Sequence, residues 1–447
     1  MSKARRIRDP VHDLIPFGTG KFEQMAWKLL ELPEFQRLRR IKQLGFSELV
    51  FPGASHTRFA HSVGVFHTAR QLAERIKHQL GENYNEDRAH VAMAAALVHD
   101  VGHGPFSHAF EAAASAFSED KHHEEWTAEI VSGKTGVNRV LESYRNGFSK
   151  EVADLIIADT PADIYASIVS SQFDADRLDY LRRDRMMAGV LHGGFDFSWL
   201  LANLEVGSVP LTQDDEVIGE VGALILGRKA LQAAEAYVLG LFHLYFTVYF
   251  HKTTRGAEKM LTAMLKRIAE LVRNGDGDLT GMNSSHPVYA FIKSGGLSDY
   301  LWLDDTSIWG CLSDLSKAKD KTISYLAMRL ACRRLYKVVD VGALLQNKGE
   351  AAVAQFKMRL ADMQKAGECE PIDVFSDTAK RNPYQRKGLD TPDVLKKVLI
   401  RRSDGTSFED LRDCSDVVKA LEERSLFRVY VRDNATKRKV LSLVEGL

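Results

Sequence analysis

Three histidines and one aspartate fall within ten residues, His99, Asp100, His103 and His108, in the stretch Leu97-Val-His-Asp-Val-Gly-His-Gly-Pro-Phe-Ser-His108. Imidazoles and a carboxylate at that density suit a divalent metal ion or acid–base catalysis, whereas a lone buried histidine is ordinarily structural. The apolar run Val91–Val98 leads into them and predicts a helix that delivers His99 and Asp100 at its end. Gly102 and Gly104-Pro105 then break the helix, so His108 approaches from another direction. Glu111 follows three residues later, on the face of His108 if the helix resumes. Two other segments carry matching groups. His56-Thr-Arg-Phe-Ala-His61 leads into a helix running to about Leu80, with Arg58 three residues before His61. Phe173-Asp-Ala-Asp-Arg-Leu-Asp-Tyr-Leu-Arg-Arg-Asp184 sets Asp176, Tyr180 and Asp184 at i, i+4 and i+8 on one helical face, which fits a pocket wall. The plainer reading of that helix is a solvated surface with ion pairs such as Asp179 with Arg183. His122 and His123 stand in a charged stretch, Glu119–Glu125, where exposure is the default.

His61, His99, Asp100 and Asp176 are the expected metal ligands, two imidazoles and two carboxylates from three separate segments. A mixed nitrogen and oxygen set suits one divalent ion such as Mn, Fe, Mg, Ni or Zn and excludes all-thiolate chemistry. Four protein ligands leave positions open on an octahedral ion for water and a substrate oxygen, and such an ion makes water a hydroxide-like nucleophile near neutral pH. The surplus histidines and arginines suit phosphate oxygens, so the expected target is a phosphorus ester or anhydride. A nucleophilic-serine hydrolase is not supported, because no G-x-S-x-G occurs. Arg273-Asn-Gly-Asp-Gly-Asp278 resembles a calcium loop but has Pro287 where the closing glutamate belongs. The Gly-rich stretch Gly189–Phe197 lacks phosphate-loop spacing.

A mainly α-helical fold must bring these segments together. Residues 1–50 read as an N-terminal arm and first helices, 51–345 as a helical core, and 346–447 as a small α+β C-terminal lobe. The arm turns at Asp9-Pro10 and at Phe17-Gly-Thr-Gly20, and Pro33 interrupts a helical pattern from Phe22 to Leu44. Arg37, Arg39, Arg40 and Lys42 make that pattern basic, as a solvated face or as phosphate contacts. Glu82–His90 reads as a polar loop, Leu204–Gly222 as a β-excursion, and Ala230–Val272 as a long helical stretch whose Phe242, Tyr245, Phe246 and Tyr249 are core candidates. Strands at Val398–Arg401 and Phe427–Arg432 flank an expected helix from Asp416 to Glu423. The 447 residues carry 60 Lys and Arg against 60 Asp and Glu, which argues against bulk attraction to nucleic acid or an anionic membrane and leaves a local basic pocket open. Cys311, Cys332, Cys369 and Cys414 form no CxxC pair and read as reduced thiols. The N-terminus has no apolar signal region, and no run approaches a membrane span, so a soluble cytoplasmic protein is expected.

The H…HD…D spacing of His61, His99-Asp100 and Asp176 resembles the HD-domain metal-dependent phosphohydrolases. Phe35-Gln-Arg-Leu-Arg39, Ile41-Lys-Gln-Leu-Gly45, Phe51-Pro-Gly-Ala-Ser-His56, His99–His108, Asp176-Arg-Leu-Asp-Tyr180 and Val248-Tyr-Phe-His-Lys252 resemble their dNTP triphosphohydrolase branch, which includes the SAM-and-HD-domain protein of animal cells and bacterial dGTPase-like proteins. The resemblance is strong over roughly residues 5–260, and the lack of a SAM segment favours the bacterial type. It implies one metal ion, a further Mg with the nucleotide, attack at the α-phosphate, and release of a deoxynucleoside and inorganic triphosphate. By position it makes His103, His108 and His123 the catalytic and phosphate-contacting histidines, with Glu111 in place of an aspartate partner to His108. Arg58 matches a phosphate contact, Gln43 and Leu44 match sugar and base contacts, Tyr180 and Asp184 a sugar-facing wall, and Tyr249 a stacking group. Leu241 stands where the family carries an arginine for the terminal phosphate, which leaves Arg177 or Lys252 to compensate. The family's effector-nucleotide site at subunit contacts of a tetramer matches Arg5, Glu31, Gln36, Arg39, His251 and Lys252, so a homo-oligomer, tetramer or dimer, with a nucleotide activator is expected. Two other readings are a phosphodiesterase or exonuclease acting on short nucleic acid or a modified nucleotide, and a nucleotide-sensing protein without catalysis.

Overall fold

The computed structural model describes residues 3–114, 116–117, 121–158, 161–213, 216–382, 384 and 397–447. The expected arm is a hairpin, β1 (Arg5–Asp9) paired antiparallel with β2 (Asp13–Phe17). Helices follow at Lys21–Glu31 and Pro33–Gln36, the second opened by proline at its first turn, where a missing N–H costs nothing. The helix Arg58–Leu80 is buried around most of its first half. It packs against Glu86–Val98, whose alanines and valines are buried from Val91 to Val98, as expected of a helix apolar on all sides. The latter helix begins five residues before Val91, inside the expected polar loop. Asn85 caps it by accepting from the Arg88 amide, and Glu86 and Asp87 sit at the positive end of its dipole.

The helix Ala175–Ala188 lies on Arg58–Leu80, capped by Asp174 at its start and by left-handed Gly189 at its end. It is no surface helix. Asp179 and Arg183 form the expected ion pair, but both are fully buried against Gly64, where a methyl group would stand 2.1 Å from Asp179 Oδ1. The stretch 230–272 is broken rather than continuous. Leu231–Leu244 gives way to a π-turn at Tyr245–Tyr249, and the chain resumes at Lys252–Asn274 at 56°. Among the described residues, no single helix is long and apolar enough to cross a membrane.

The β-excursion is a long hairpin, β3 (Leu204–Gln213) and β4 (Glu216–Leu226). The C-terminal region divides between two sheets instead of forming one lobe from 346. β5 (Lys337–Val339), β6 (Val374–Arg381) and β9 (Arg424–Val431) form one sheet in the order β5-β9-β6, with helices Gly349–Lys365 and Asn434–Glu445 over a separate apolar cluster around Phe356 and Val429. β7 (Leu399–Arg401) and β8 (Phe408–Asp410) extend the β3–β4 hairpin, β7 lying parallel to β4. Val398, Ile400, Leu411 and Val418 thereby enter the main helical core. The expected helix from Asp416 ends at Lys419. The four cysteines are free thiols.

Candidate metal and phosphate site

The helix Glu86–Val98 stops just before His99, and the chain turns through His99–Ser107. Four anchors hold this turn. Thr127 Oγ1 donates to the His99 carbonyl and accepts from the Gly102 amide. The Arg37 guanidinium donates to the Val101 carbonyl at 2.7 Å, so this arginine is a buried brace and not part of a solvated face. Asp305 accepts from the Phe106 amide at 2.7 Å. Arg58 donates to Ser107 Oγ at 2.8 Å. Phe106 and Ser107 both take positive φ, 53° and 46°, a conformation costly for non-glycine residues that these bonds sustain. A Cβ on Gly102 would lie 2.3 Å from the His123 carbonyl and the Thr127 amide. Gly102→Ala is therefore expected to push the His123–Ser132 helix away, costing about 1–3 kcal/mol in urea unfolding, with a larger loss in turnover than Ala substitution at an exposed helix site causes.

His61, His99 and Asp176 each present a ligand atom, all within 4.8 Å of one another. Asp176 Oδ1 lies 2.9 Å from His61 Nε2 and 3.8 Å from His99 Nε2. Asp100 stands beside them, 3.3 Å from His99 Nε2 through Oδ1 and 3.9 Å from His61 Nε2 through Oδ2. Both imidazoles are held from behind. His61 Nδ1 meets Asp179 Oδ2 at 2.8 Å, and His99 Nδ1 meets the Ala96 carbonyl at 2.9 Å. Each Nδ1 is thus the donor, which turns an Nε2 lone pair inward, the arrangement that orients metal-ligating histidines. Both Nε2 atoms are buried without a hydrogen-bond partner among the described residues. Burial opposes charge on His61, yet the carboxylates of Asp176 and Asp179 outweigh it and push the imidazole up to about 10. These surroundings call for a positive charge at Nε2, supplied by a proton or by a divalent ion. Buried orphan nitrogens, carboxylates and a mixed donor set together fit such an ion.

Asp179 does not stand alone. It accepts from Arg183, meets His12 Nε2 at 2.6 Å, and Arg183 reaches Asp9 at 2.8 Å. The β1–β2 hairpin thus braces His61 through a buried network in which Asp9, His12, Asp179 and Arg183 were not foreseen as site residues.

The remaining histidines form a second group. His103, Glu111 and His123 also bring ligand atoms within 4.8 Å of one another. The rings of His103 and His123 stack at 3.8 Å between centroids. Burial and the nearby Arg58 and His123 hold His103 well below the usual imidazole range, whereas for His123 burial is outweighed by Glu111, which raises it. The two stacked rings are therefore shifted in opposite directions. Glu111 accepts from His123 Nδ1 at 2.7 Å and from His108 Nδ1 at 3.3 Å. Burial would raise the Glu111 carboxyl, but these two hydrogen bonds hold it well below the usual range.

A cavity of about 370 Å³ opens beside this cluster, with Asp176 and His108 in its wall. Gln43, Leu44, Arg58, Arg177, Tyr180, Asp184 and Tyr249 all line it. Asp184 accepts from the Tyr249 hydroxyl at 2.8 Å and meets His56 Nε2 at 2.7 Å, another residue that spacing alone left unmarked. Arg58 also donates to Asp100 at 2.7 Å, linking the cavity to the His61, His99 and Asp176 group beside it. Leu241 is buried in the core, and Lys252 is outside the cavity wall. A larger groove, about 830 Å³ between the β9 strand and the helix Gly349–Lys365, contains none of the candidate residues. The expected effector residues sit elsewhere: Arg5 pairs with Glu31 at 2.6 Å, Arg39 donates to Gln36 at 2.8 Å, and His251 caps the helix that Lys252 opens.

Residues 58–184 match the HD domain, and residues 216–300 match the HD associated region. A Bacillus subtilis protein described as uncharacterized, YwfO, is 35% identical over 384 residues, which is 86% of this chain and 82% of that one. The chain belongs to the HD-domain phosphohydrolase family. A Bacteroides thetaiotaomicron phosphohydrolase superposes on this HD-domain protein with a TM-score of 0.75 at 26% identity, covering 96% of this chain and all of that one, 100%. The deoxynucleoside triphosphate triphosphohydrolase SAMHD1 of Danio rerio is 27% identical over 404 residues, 80% of this chain and 58% of that protein. Of three further relatives described as uncharacterized, the chain spans 50%, 64% and 61% of the length.

Proposed function

We propose that this HD-domain phosphohydrolase hydrolyses deoxynucleoside triphosphates to a deoxynucleoside and inorganic triphosphate. One observation carries the reading: a single cavity brings Asp176, which lies against the imidazoles prepared for a cation, together with several guanidinium groups and a wall of tyrosines and carboxylate suited to a sugar. His61, His99, Asp100 and Asp176 would hold one divalent ion, which supplies Lewis acidity and lets water act as a nucleophile near neutral pH.

The other residues do the positioning and proton handling. Arg58, tied to Asp100 and Ser107, presents positive charge where the α-phosphate must sit. His123, stacked on His103 and held by Glu111, offers a further phosphate contact. Asp184 and the Tyr249 hydroxyl oxygen, whose proton goes to Asp184, are acceptors for a sugar hydroxyl, Tyr180 packs edge-on to Tyr249 at 6.1 Å, and Gln43 and Leu44 face the sugar and base. Water oxygen bonds to the α-phosphorus, the bond from phosphorus to the 5′-oxygen breaks, that oxygen takes a proton from His108, and the proton lost by the attacking water passes to solvent, from which His108 is reprotonated. The His108 side chain is 72% exposed, with Nδ1 held by Glu111 and Nε2 left for delivery. His108→Ala should keep its metal and lose about 10²- to 10⁴-fold in turnover, and unchanged turnover removes His108 from this role.

The deciding experiment incubates metal-loaded protein with each dNTP, with mixed dNTPs and with a short labelled oligonucleotide. Inorganic triphosphate and deoxynucleoside support the proposal. Mononucleotide from the oligonucleotide supports the phosphodiesterase reading instead, and binding without products supports a sensor. Faster turnover with mixed than with single dNTPs would place an effector at the Arg5, Glu31, Gln36, Arg39, His251 and Lys252 positions of an oligomer.

A further inference from the structure

Four guanidinium groups line the cavity, and three are already committed. Arg58 donates to Asp100 and Ser107. Arg177 donates to the Ser171 carbonyl and the Gln172 side chain, both at 3.0 Å, and lies 3.6 Å from Asp174. Arg255 is held by Asp377 and by Glu258. Arg381 differs from all three. Its guanidinium lies 3.9 Å from the centroid of the Tyr245 ring. Its Nε is buried and, among the described residues, has no hydrogen-bond partner.

The backbone under Arg381 is held in a sheet. It ends β6, which pairs with β9 along its whole length, down to Arg381 opposite Arg424. Asp377, four residues earlier, points to the same face of the strand and neutralises Arg255. One strand of the C-terminal sheet therefore supplies an acid that neutralises one cavity arginine, and a second cavity arginine that no acid among the described residues neutralises. A planar fork of N–H donors that lies over an aromatic ring and has no acid partner among the described residues is preorganised for a planar pair of anionic oxygens. Its neighbour is Tyr245 and not the His61, His99 and Asp176 group, so it meets a part of the ligand other than the reacting phosphorus.

We infer that Arg381 grips the phosphate tail of the substrate and makes the cavity selective for polyphosphates. The inference rests on the nucleoside triphosphate reading above. It also gives β6 a part in substrate choice that nothing in the HD turn performs.

The test compares the full-length protein with Arg381→Ala and Arg381→Lys, all metal-loaded, by calorimetric titration with inorganic triphosphate and with 2′-deoxyguanosine, and by dNTP kinetics. Arg381→Ala should weaken inorganic triphosphate about 10- to 100-fold, leave deoxynucleoside affinity and metal content unchanged, and raise KM more than it lowers kcat. Arg381→Lys should recover part of the loss, since it keeps the charge without the fork. Unchanged triphosphate affinity overturns the inference. So does an equal or greater loss for the deoxynucleoside, which would make Arg381 a base contact. A wild-type protein that binds inorganic triphosphate through Arg381 but turns over no dNTP would defeat the substrate reading and leave the anion grip standing.

Discussion

Asp176→Ala is expected to strip the divalent ion from the purified protein and to lower turnover by about 10³-fold or more, the scale of a lost Lewis acid worth several kcal/mol. Asp176 Oδ1 faces both orphaned imidazole nitrogens, at 2.9 Å from His61 Nε2 and 3.8 Å from His99 Nε2. The other carboxylate, Asp100, already offsets Arg58 at 2.7 Å, so without Asp176 the two imidazoles face one partly neutralised acid. The fold should tolerate the change. Asp176 is not the helix cap, a part played by Asp174, and its side chain is 40% exposed. Melting within a few degrees of wild type is expected alongside the loss of metal, as measured by elemental analysis. A full metal complement with wild-type turnover would remove Asp176 from the site.

Asp179→Asn should damage both fold and metal binding. Asp179 is fully buried, and its two oxygens meet His12, His61 and Arg183. Removing one acid from a buried pair leaves its partner short of charge and costs about 3–5 kcal/mol. Loss of the carboxylate behind His61 should weaken the metal a further 10- to 100-fold, the usual effect of removing an orienting partner. The two effects are separable with Asp9→Asn, which weakens Arg183 from the other side without touching His61. That variant should melt early yet keep its affinity for the ion, measured by competition with a chelator. If both variants lose metal equally, the hairpin network acts only through stability and Asp179 has no orienting part.

The contrast between Asp176 and Asp179 shows what a linear reading can reach. Asp176, Tyr180 and Asp184 share one face at helical spacing, and the density of imidazole around His99 marks the turn without any knowledge of its neighbours. The mainly helical architecture is legible in the same way, from apolar runs such as Val91–Val98. Asp179 looked like half of an exposed ion pair because i,i+4 spacing does not reveal what covers a helix. Its burial depends on Gly64 of another helix and on a hairpin more than 160 residues away in sequence, the pair His12 and Asp179 being separated by 167. Arg381 and the division of the C-terminal strands between two sheets depend likewise on pairings across the fold, β6 with β9 and β7 with β4. The break at Tyr245–Tyr249 is a local irregularity in a stretch whose composition favours unbroken helix. There the need to turn Tyr245 and Tyr249 into the cavity overrides propensity, as π-turns at functional sites often do.

The most direct test of the central claim is anomalous scattering from a crystal of the metal-loaded protein, recorded at the absorption edge of the bound ion. One peak is expected per chain, contacted by His61 Nε2, His99 Nε2 and the carboxylates of Asp100 and Asp176. A catalytically active crystal with no peak there, or with its only peak at the His103, Glu111 and His123 group, would contradict the account.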